Sequence, residues 1–331
     1  MTIKYNNVYI EDASTVAGYY ESFSPYSKYF DKIYKKDFYF GEKSLEKAET
    51  KLFKESIDIL LKKCNLKPSD IDVLIGGDLL NQITSSCYGA KDFNISFLGV
   101  YTACATTGEE ILIASNLLEN KDVKRVICTT SSHNLSSEKQ FRNPVEYGGP
   151  KPMTSTFTAT GGASILLTNN KKSIKVESIT IGKINDLGVK DANHMGAVMT
   201  PAAADTINTH LKDLNRDLSY YDLILTGDLG IFGKEILKEY MSKEYKVKLK
   251  SNYNDCGAML YDLSKQKEIT AGGSGPVCSA LINYGYILKM MKEKKLSHVL
   301  LVPTGALFSP TFLFQKENIL SIAYAISLEV V

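Results

Sequence analysis

No stretch of this 331-residue sequence reaches the roughly 18 consecutive apolar residues that a membrane-spanning helix requires, and no apolar leader follows Met1. The chain is therefore expected to be made and kept on the cytosolic side. Charge of one sign is also scarce. A formal net charge of +2 gives little field for holding a nucleic acid, and the short lysine clusters (KIYKKDF, LKKC, MMKEKK) sit beside acidic residues as solvated faces, or at most as weak contacts with an anionic surface. Histidine is rare: His133, His194, His210 and His298 are the only four, and none has metal-ligand spacing to another His or to a Cys. His210 and His298 read most simply as surface or helix-end residues. The six cysteines (Cys64, Cys87, Cys104, Cys128, Cys256 and Cys278) lie mostly in apolar runs without paired spacing, as expected of reduced thiols. Two Gly-rich stretches, AGGSG and GGPKPMT, lack both the GxGxxG spacing and a GK[ST] ending, so a dinucleotide or phosphate loop is not indicated.

What the sequence does have is a long internal repeat. Residues 44–79 run amphipathic helix, short linker, acidic-aliphatic strand and Gly-Asp-Leu, and residues 201–229 run the same way. CATTGEEILIASNLLENKDVKRVICTTSS from Cys104 then has a counterpart in CSALINYGYILKMMKEKKLSHVLLVPTGA from Cys278. One recurrence at so long a period argues for two fused copies of an α/β unit and not for a solenoid. Helices of 12–18 residues between strands imply crossover connections and largely parallel sheets. We place the N-terminal half at 1–170, with an insertion at 132–158, and the C-terminal half at 171–331. The insertion is polar, rich in Gly and Pro, and without an equivalent in the second copy; a long loop in a compact unit is commonly a lid or a binding loop. The first forty residues read as a strand followed by an irregular covering loop.

Cys104 ends a buried strand and opens a helix. That placement aims a side chain out of the sheet edge, where unpaired N–H groups favour a thiolate or a bound anion; a buried helix-start cysteine fits the same periodicity. His133 follows the strand KRVICTTSS and opens the insertion, within reach of the same edge, so a displaced Cys/His pair is one catalytic arrangement. Arg142 and Lys151 supply cations in the insertion that could hold a carboxylate. Ser274 and Pro276 read as an N-cap and an early helical proline. Asp78 and Asp228, the repeated GDL acids, read as caps or braces of the two halves.

Duplicated halves with a cysteine at the elbow after the first copy's buried strand resemble the thiolase and ketoacyl-synthase superfamily. More narrowly, GGDLLNQ, SSHN, QFRNPVEYGGPKP, PAAADTI, DLILTGDL, NDCG, AGGSG, CSA and TGALFSPT fall in one order from Asp72 to Val330, and this series resembles the stage V sporulation protein AD (SpoVAD) family. The resemblance implies a thiolase-like duplicated αβαβα layered sandwich, a homodimer, and a binding protein for dipicolinic acid (pyridine-2,6-dicarboxylate), as its calcium chelate. It further implies uptake of that compound into the developing spore with the membrane proteins of the SpoVA system, peripheral placement on the spore inner membrane, and no cofactor, protein-held metal or nucleic acid.

Condensing enzymes of the superfamily pair the cysteine with a His in the second copy and with a further His or Asn, because a thioester nucleophile needs a base and oxyanion donors. Those positions fall here at Gly227 or Asp228 and at Gly273 or Ser274, and neither group is present. The expectation is therefore a non-enzyme whose pocket is built from Cys104, His133, Arg142, Asn254, Asp255 and Ser274. The alternative is a Cys104-dependent acyltransferase with His133 as base.

Overall fold

The computed structural model describes residues 1–141 and 151–331. Among the described residues ten strands form the main path of a 13-stranded sheet: β1 (Tyr9–Ala17), β2 (Val73–Gly77), β3 (Ser96–Gly99), β4 (Arg125–Ser132), β5 (Gly161–Thr168), β6 (Ile174–Ile181), β7 (Leu223–Thr226), β8 (Tyr253–Asp255), β9 (His298–Val302) and β10 (Leu320–Val330). They lie in the order β3-β2-β4-β5-β1-β6-β10-β9-β7-β8. The arrangement on one side of the β1/β6 seam is repeated, mirrored, on the other. At the seam the two strands pair antiparallel through Tyr9 with Lys175 and Ile10 with Ile174. The expected largely parallel sheet is corrected by this register. β3, β2 and β4 are parallel, as are β8, β7 and β9, but β5, β1, β6 and β10 pair antiparallel with their neighbours.

The repeat extends to local chemistry. Helix α1 (Leu45–Cys64) starts at Ser44, whose side chain accepts from the Lys47 N–H, and ends at Asn65 in the left-handed region at φ 54°. Its counterpart, running from Met195 to Leu214, starts at His194 and ends at Asn215, φ 51°. Beyond each helix an aspartate ties two N–H groups of the next strand but one: Asp72 Oδ2 accepts from Lys124 and Arg125 at 2.7 and 2.9 Å, and Asp222 Oδ2 from Ser297 and His298 at 2.6 and 2.9 Å.

Two further helices are buried between the halves. We label them α2 (Thr106–Leu118) and α3, which begins at Pro276–Ala280, continues as a π-helical stretch Leu281–Ile287 and closes as Leu288–Lys292. Both carry apolar side chains of the largest core cluster, among them Ile111, Val277, Leu281 and Ile287. A helix apolar on most sides belongs inside a layered fold.

α1 lies against β5 at very close range. A Cβ on Gly162 would stand 2.2 Å from the Leu52 carbonyl oxygen, and beside it Ser56 Oγ meets Ser164 Oγ at 2.7 Å, which in turn accepts from Thr129 at 2.9 Å. Small and hydroxylated side chains let the two backbones approach here, while Phe53 and Ile57 of α1 cluster with Leu166 of β5.

The N-terminal stretch, expected as a strand and a covering loop, holds β1, the seam strand, followed by 3-10 turns and an aromatic cluster of Tyr19, Tyr20, Phe23 and Phe38. Within it Glu21 is fully buried; its carboxyl accepts from the Thr160 N–H at 3.0 Å and from the Tyr261 hydroxyl. Burial pushes this acid up from the usual 4.5 to about 7. Between those values the folded state holds a proton that the unfolded chain has released, so this group's stabilisation is present below pH 4.5 and lost as pH rises towards 7. The loss amounts to about 3 kcal/mol. Replacing Glu21 with Gln is expected to remove that part of the slope; denaturant unfolding of both proteins at pH 5 and pH 7.5 checks it, and equal slopes count against it.

Candidate functional site

A cavity of about 660 Å³, mouth included, lies where the two halves meet. Cys104 and Ala103 come from the elbow between β3 and α2, Asp228 from the end of β7, and Ser274 from the turn before α3. Phe141, Met195, Met199 and Phe308 form apolar walls; Ser137, Thr156 and Thr158 add hydroxyls, and Glu138 a carboxylate. Glu138 is ion-paired with Lys151 at 2.8 Å, so that insertion lysine has a partner already. Among the described residues no cationic side chain lines the cavity.

The elbow is sterically unusual. Ala103, buried, has φ 52°, a left-handed conformation that costs a non-glycine residue on the order of 1 kcal/mol. It turns the chain so that Cys104 stands at the cavity floor. The Cys104 thiol stands beside the Asp228 carboxylate, whose Oδ2 accepts from the Gly275 N–H at 3.0 Å and Oδ1 from the Thr304 hydroxyl at 2.9 Å. Gly275 makes this contact at φ 94°, where glycine is favoured.

The electrostatics follow from that pairing. Burial first, and then the neighbouring Asp228 carboxylate, push the Cys104 thiol well above its usual value. Burial also raises Asp228 to about 7, against the favourable contacts from Cys104 and Gly275. A histidine at this place would stabilise a thiolate; an aspartate stabilises the thiol. The sequence reading put the absent histidine at Gly227 or Asp228 and took Asp228 for a cap or brace. The missed signal was that an acid there must face the cysteine.

The other expected site residues are placed as follows. Ser274 lines the cavity with Cys104. His133 does not: it is fully buried, with Nε2 2.8 Å from the Phe38 carbonyl and Nδ1 accepting from the Leu135 N–H at 3.1 Å. Both ring nitrogens are in use and burial lowers its pKa, so the Cys104/His133 pair is excluded by geometry. Asp255 also lies outside the lining, capping its own helix and holding the Leu229, Gly230 and Ala258 N–H groups. Asn254 accepts from Lys234 Nζ at 2.6 Å and is likewise not part of the lining. Arg142 falls outside the described residues. Asp78 caps locally, accepting from Leu80 and Ser86, as expected of a brace. His210 is not at the surface; it is buried between Thr180 Oγ1 and the Tyr221 hydroxyl, each at 2.6 Å. The second copy also has its own excursion where none was expected, a strand at Thr304–Leu307 and a helix at Pro310–Phe314 between β9 and β10. Among the described residues no group of three or more His, Cys, Asp or Glu is placed to hold a metal ion.

Mirrored halves, two buried helices and a cysteine on a left-handed elbow define the thiolase-like α/β fold. Solved structures agree. The chain superimposes on cerulenin-bound OleA of Xanthomonas campestris with a TM-score of 0.65 at 11% identity, covering 99% of this chain and 100% of that one. Human mitochondrial 3-ketoacyl-CoA thiolase gives 0.61 at 10% identity and 98% of each chain, and 3-oxoacyl-[acyl-carrier-protein] synthase III of Aquifex aeolicus 0.57 at 11%, with 97% and 99% covered. At these identities the fold is what is shared.

The particular family is shown by sequence. The chain belongs to the stage V sporulation protein AD (SpoVAD) family, whose profile matches residues 1–329. Stage V sporulation protein AD of Bacillus subtilis is 43% identical over 322 residues, 97% of this chain and 94% of that protein. The protein is thus a sporulation protein built on a condensing-enzyme fold. None of its described helices is long and apolar enough to cross a membrane.

Proposed function

We propose that the cavity binds dipicolinic acid as its calcium chelate, and that the protein serves uptake of this compound into the developing spore as the peripheral subunit of the SpoVA transport system. The observation that carries a binding role over catalysis is the Asp228 carboxylate placed beside the Cys104 thiol on the cavity floor. It keeps the sulfur protonated and occupies the place of a base, so the floor is a fixed polar surface and not a nucleophile. Apolar walls suit a flat ring, and the hydroxyls of Ser274, Thr156 and Thr158 suit its carboxylates. Two carboxyl groups in the lining, Asp228 and Glu138, favour a ligand whose negative charge is balanced by its own cation.

A homodimer fits the edge strand β3, which ends the sheet with Leu98 43% exposed beside Tyr101 and Tyr88 at 42% and 60%. Attachment to the spore inner membrane would run through the membrane proteins of the same system.

Calorimetric titration with dipicolinate, with calcium and with a chelator, tests the proposal. Saturable binding is expected, strengthened by calcium, and weakened at least about tenfold by Met195→Trp, which narrows the cavity from its rim. Acyl-coenzyme A is the control: acylation of Cys104 would sink the binding reading and restore the acyltransferase.

A further inference from the structure

A second site lies outside the cavity. The helix Met195–Leu214 is followed by the 3-10 turn Leu218–Tyr220, and the helix Gly230–Glu244 by the segment 245–250, with the sequence YKVKLK, which leaves the helix through Lys246 at φ 59°. Together they enclose an open groove of about 1420 Å³. Burial alternates along this segment: Tyr245, Val247 and Leu249 pack on the second half's core, and Lys246, Lys248 and Lys250 are exposed. Lys212 faces them across the groove.

The charge in this groove is unbalanced. Among the described residues none of these four lysines is ion-paired with a carboxylate. Lys246 Nζ reaches only the Lys243 carbonyl at 2.7 Å. Arg216, also in the lining, is already committed to Glu177 at 2.8 Å. The one acid there, Asp217, is held by the Ser219 N–H at 2.6 Å. Backbone groups are open as well: among the described residues the N–H groups of Lys248 and Leu249 make no hydrogen bond to the main chain.

The internal repeat provides a control. The equivalent connection in the first half, residues 91–95 before β3, has one lysine, Lys91, set over the Tyr88 ring, and one acid, Asp92, paired with Lys54. Its charges are partnered and no lysine row is present. A row of edge lysines can serve only to prevent strand pairing. Here the row instead borders a groove with a fourth lysine on its far wall.

We infer that this groove receives an extended acidic peptide segment of a partner protein. In an extended chain alternate side chains recur at about 6.7 Å, so acids at every second position match Lys248 and Lys250, with Lys246 at the helix end beside them, while the peptide's main chain pairs with whichever open N–H group faces the groove. A concave site suits such a strand better than it suits a flat bilayer.

The test uses the full-length protein and a fluorescein-labelled peptide of alternating Glu and Val, followed by anisotropy at low and moderate salt. Saturable binding is expected that weakens with salt and falls at least about tenfold in the triple variant Lys246→Gln, Lys248→Gln, Lys250→Gln. An unchanged thermal midpoint and unchanged dipicolinate titration would show that the variant is folded and that the groove is separate from the cavity. Absence of saturable binding, or equal binding by the variant, overturns the inference. So does cosedimentation with phosphatidylglycerol vesicles without peptide binding, which would make the groove a membrane contact.

Discussion

Replacing Asp228 with His is expected to make Cys104 alkylate at least about 100-fold faster near neutral pH. In the native protein burial and the Asp228 carboxylate both act against the thiolate, and together they hold the thiol well above its ordinary value of 9.0. An imidazolium in the same place reverses the electrostatic contribution while leaving burial unchanged. Asp228→Asn removes the charge without adding a base and is expected to fall between the two. Iodoacetamide kinetics with peptide mapping would follow Cys104 specifically, against a Cys104→Ala background for the other five thiols. Should the histidine variant react at the wild-type rate, Asp228 does not govern this sulfur and the argument for a disabled nucleophile fails. Condensing activity is not expected to return, because among the described residues the cavity lining offers no second histidine or asparagine.

The second large effect concerns the scaffold. Gly162→Ala is expected to destabilise the protein by about 3 kcal/mol, the upper part of the range for overpacking. The added methyl would meet the Leu52 carbonyl oxygen at 2.2 Å and the Leu52 carbonyl carbon at 2.5 Å, both backbone atoms of α1. A rotamer change cannot relieve a backbone contact; the helix must lift from the sheet, and the Ser56–Ser164 hydrogen bond would be broken with it. Chemical denaturation reads the loss directly. A decrease below about 1 kcal/mol would mean that α1 moves freely on β5 and that its close approach is not a constraint.

The fold was legible where the chain repeats itself. Paired helices ending in Asn65 and Asn215, each followed by an acid tethering a strand, left their spacing in the sequence. β1 was not legible as a central strand because its residues, TVA among them, pair antiparallel with β5 partners more than 140 residues away, for which no local pattern exists. The site was half legible. Cys104 and Ser274 announced themselves by helix-start chemistry, which is local. Asp228 could be located but not interpreted, since its role depends on a thiol contributed by the other half. His133 misled because a histidine at a loop opening is a plausible base until its two nitrogens are seen to be occupied by Phe38 and Leu135.

The mirrored architecture offers two helix-start cysteines, and they have met different fates. Cys278, the counterpart of Cys104, is completely buried, with its sulfur 2.8 Å from where a Cβ on Gly273 would sit and with Leu260 and Tyr261 close by the same point. Where one copy kept an opening, the other was walled in. The molecule therefore has two potential berths and a vacancy at only one, so a ligand arriving there meets a single orientation of a nearly symmetric frame. Its stoichiometry is expected to be one per chain, and its occupancy would bridge side chains drawn from both halves.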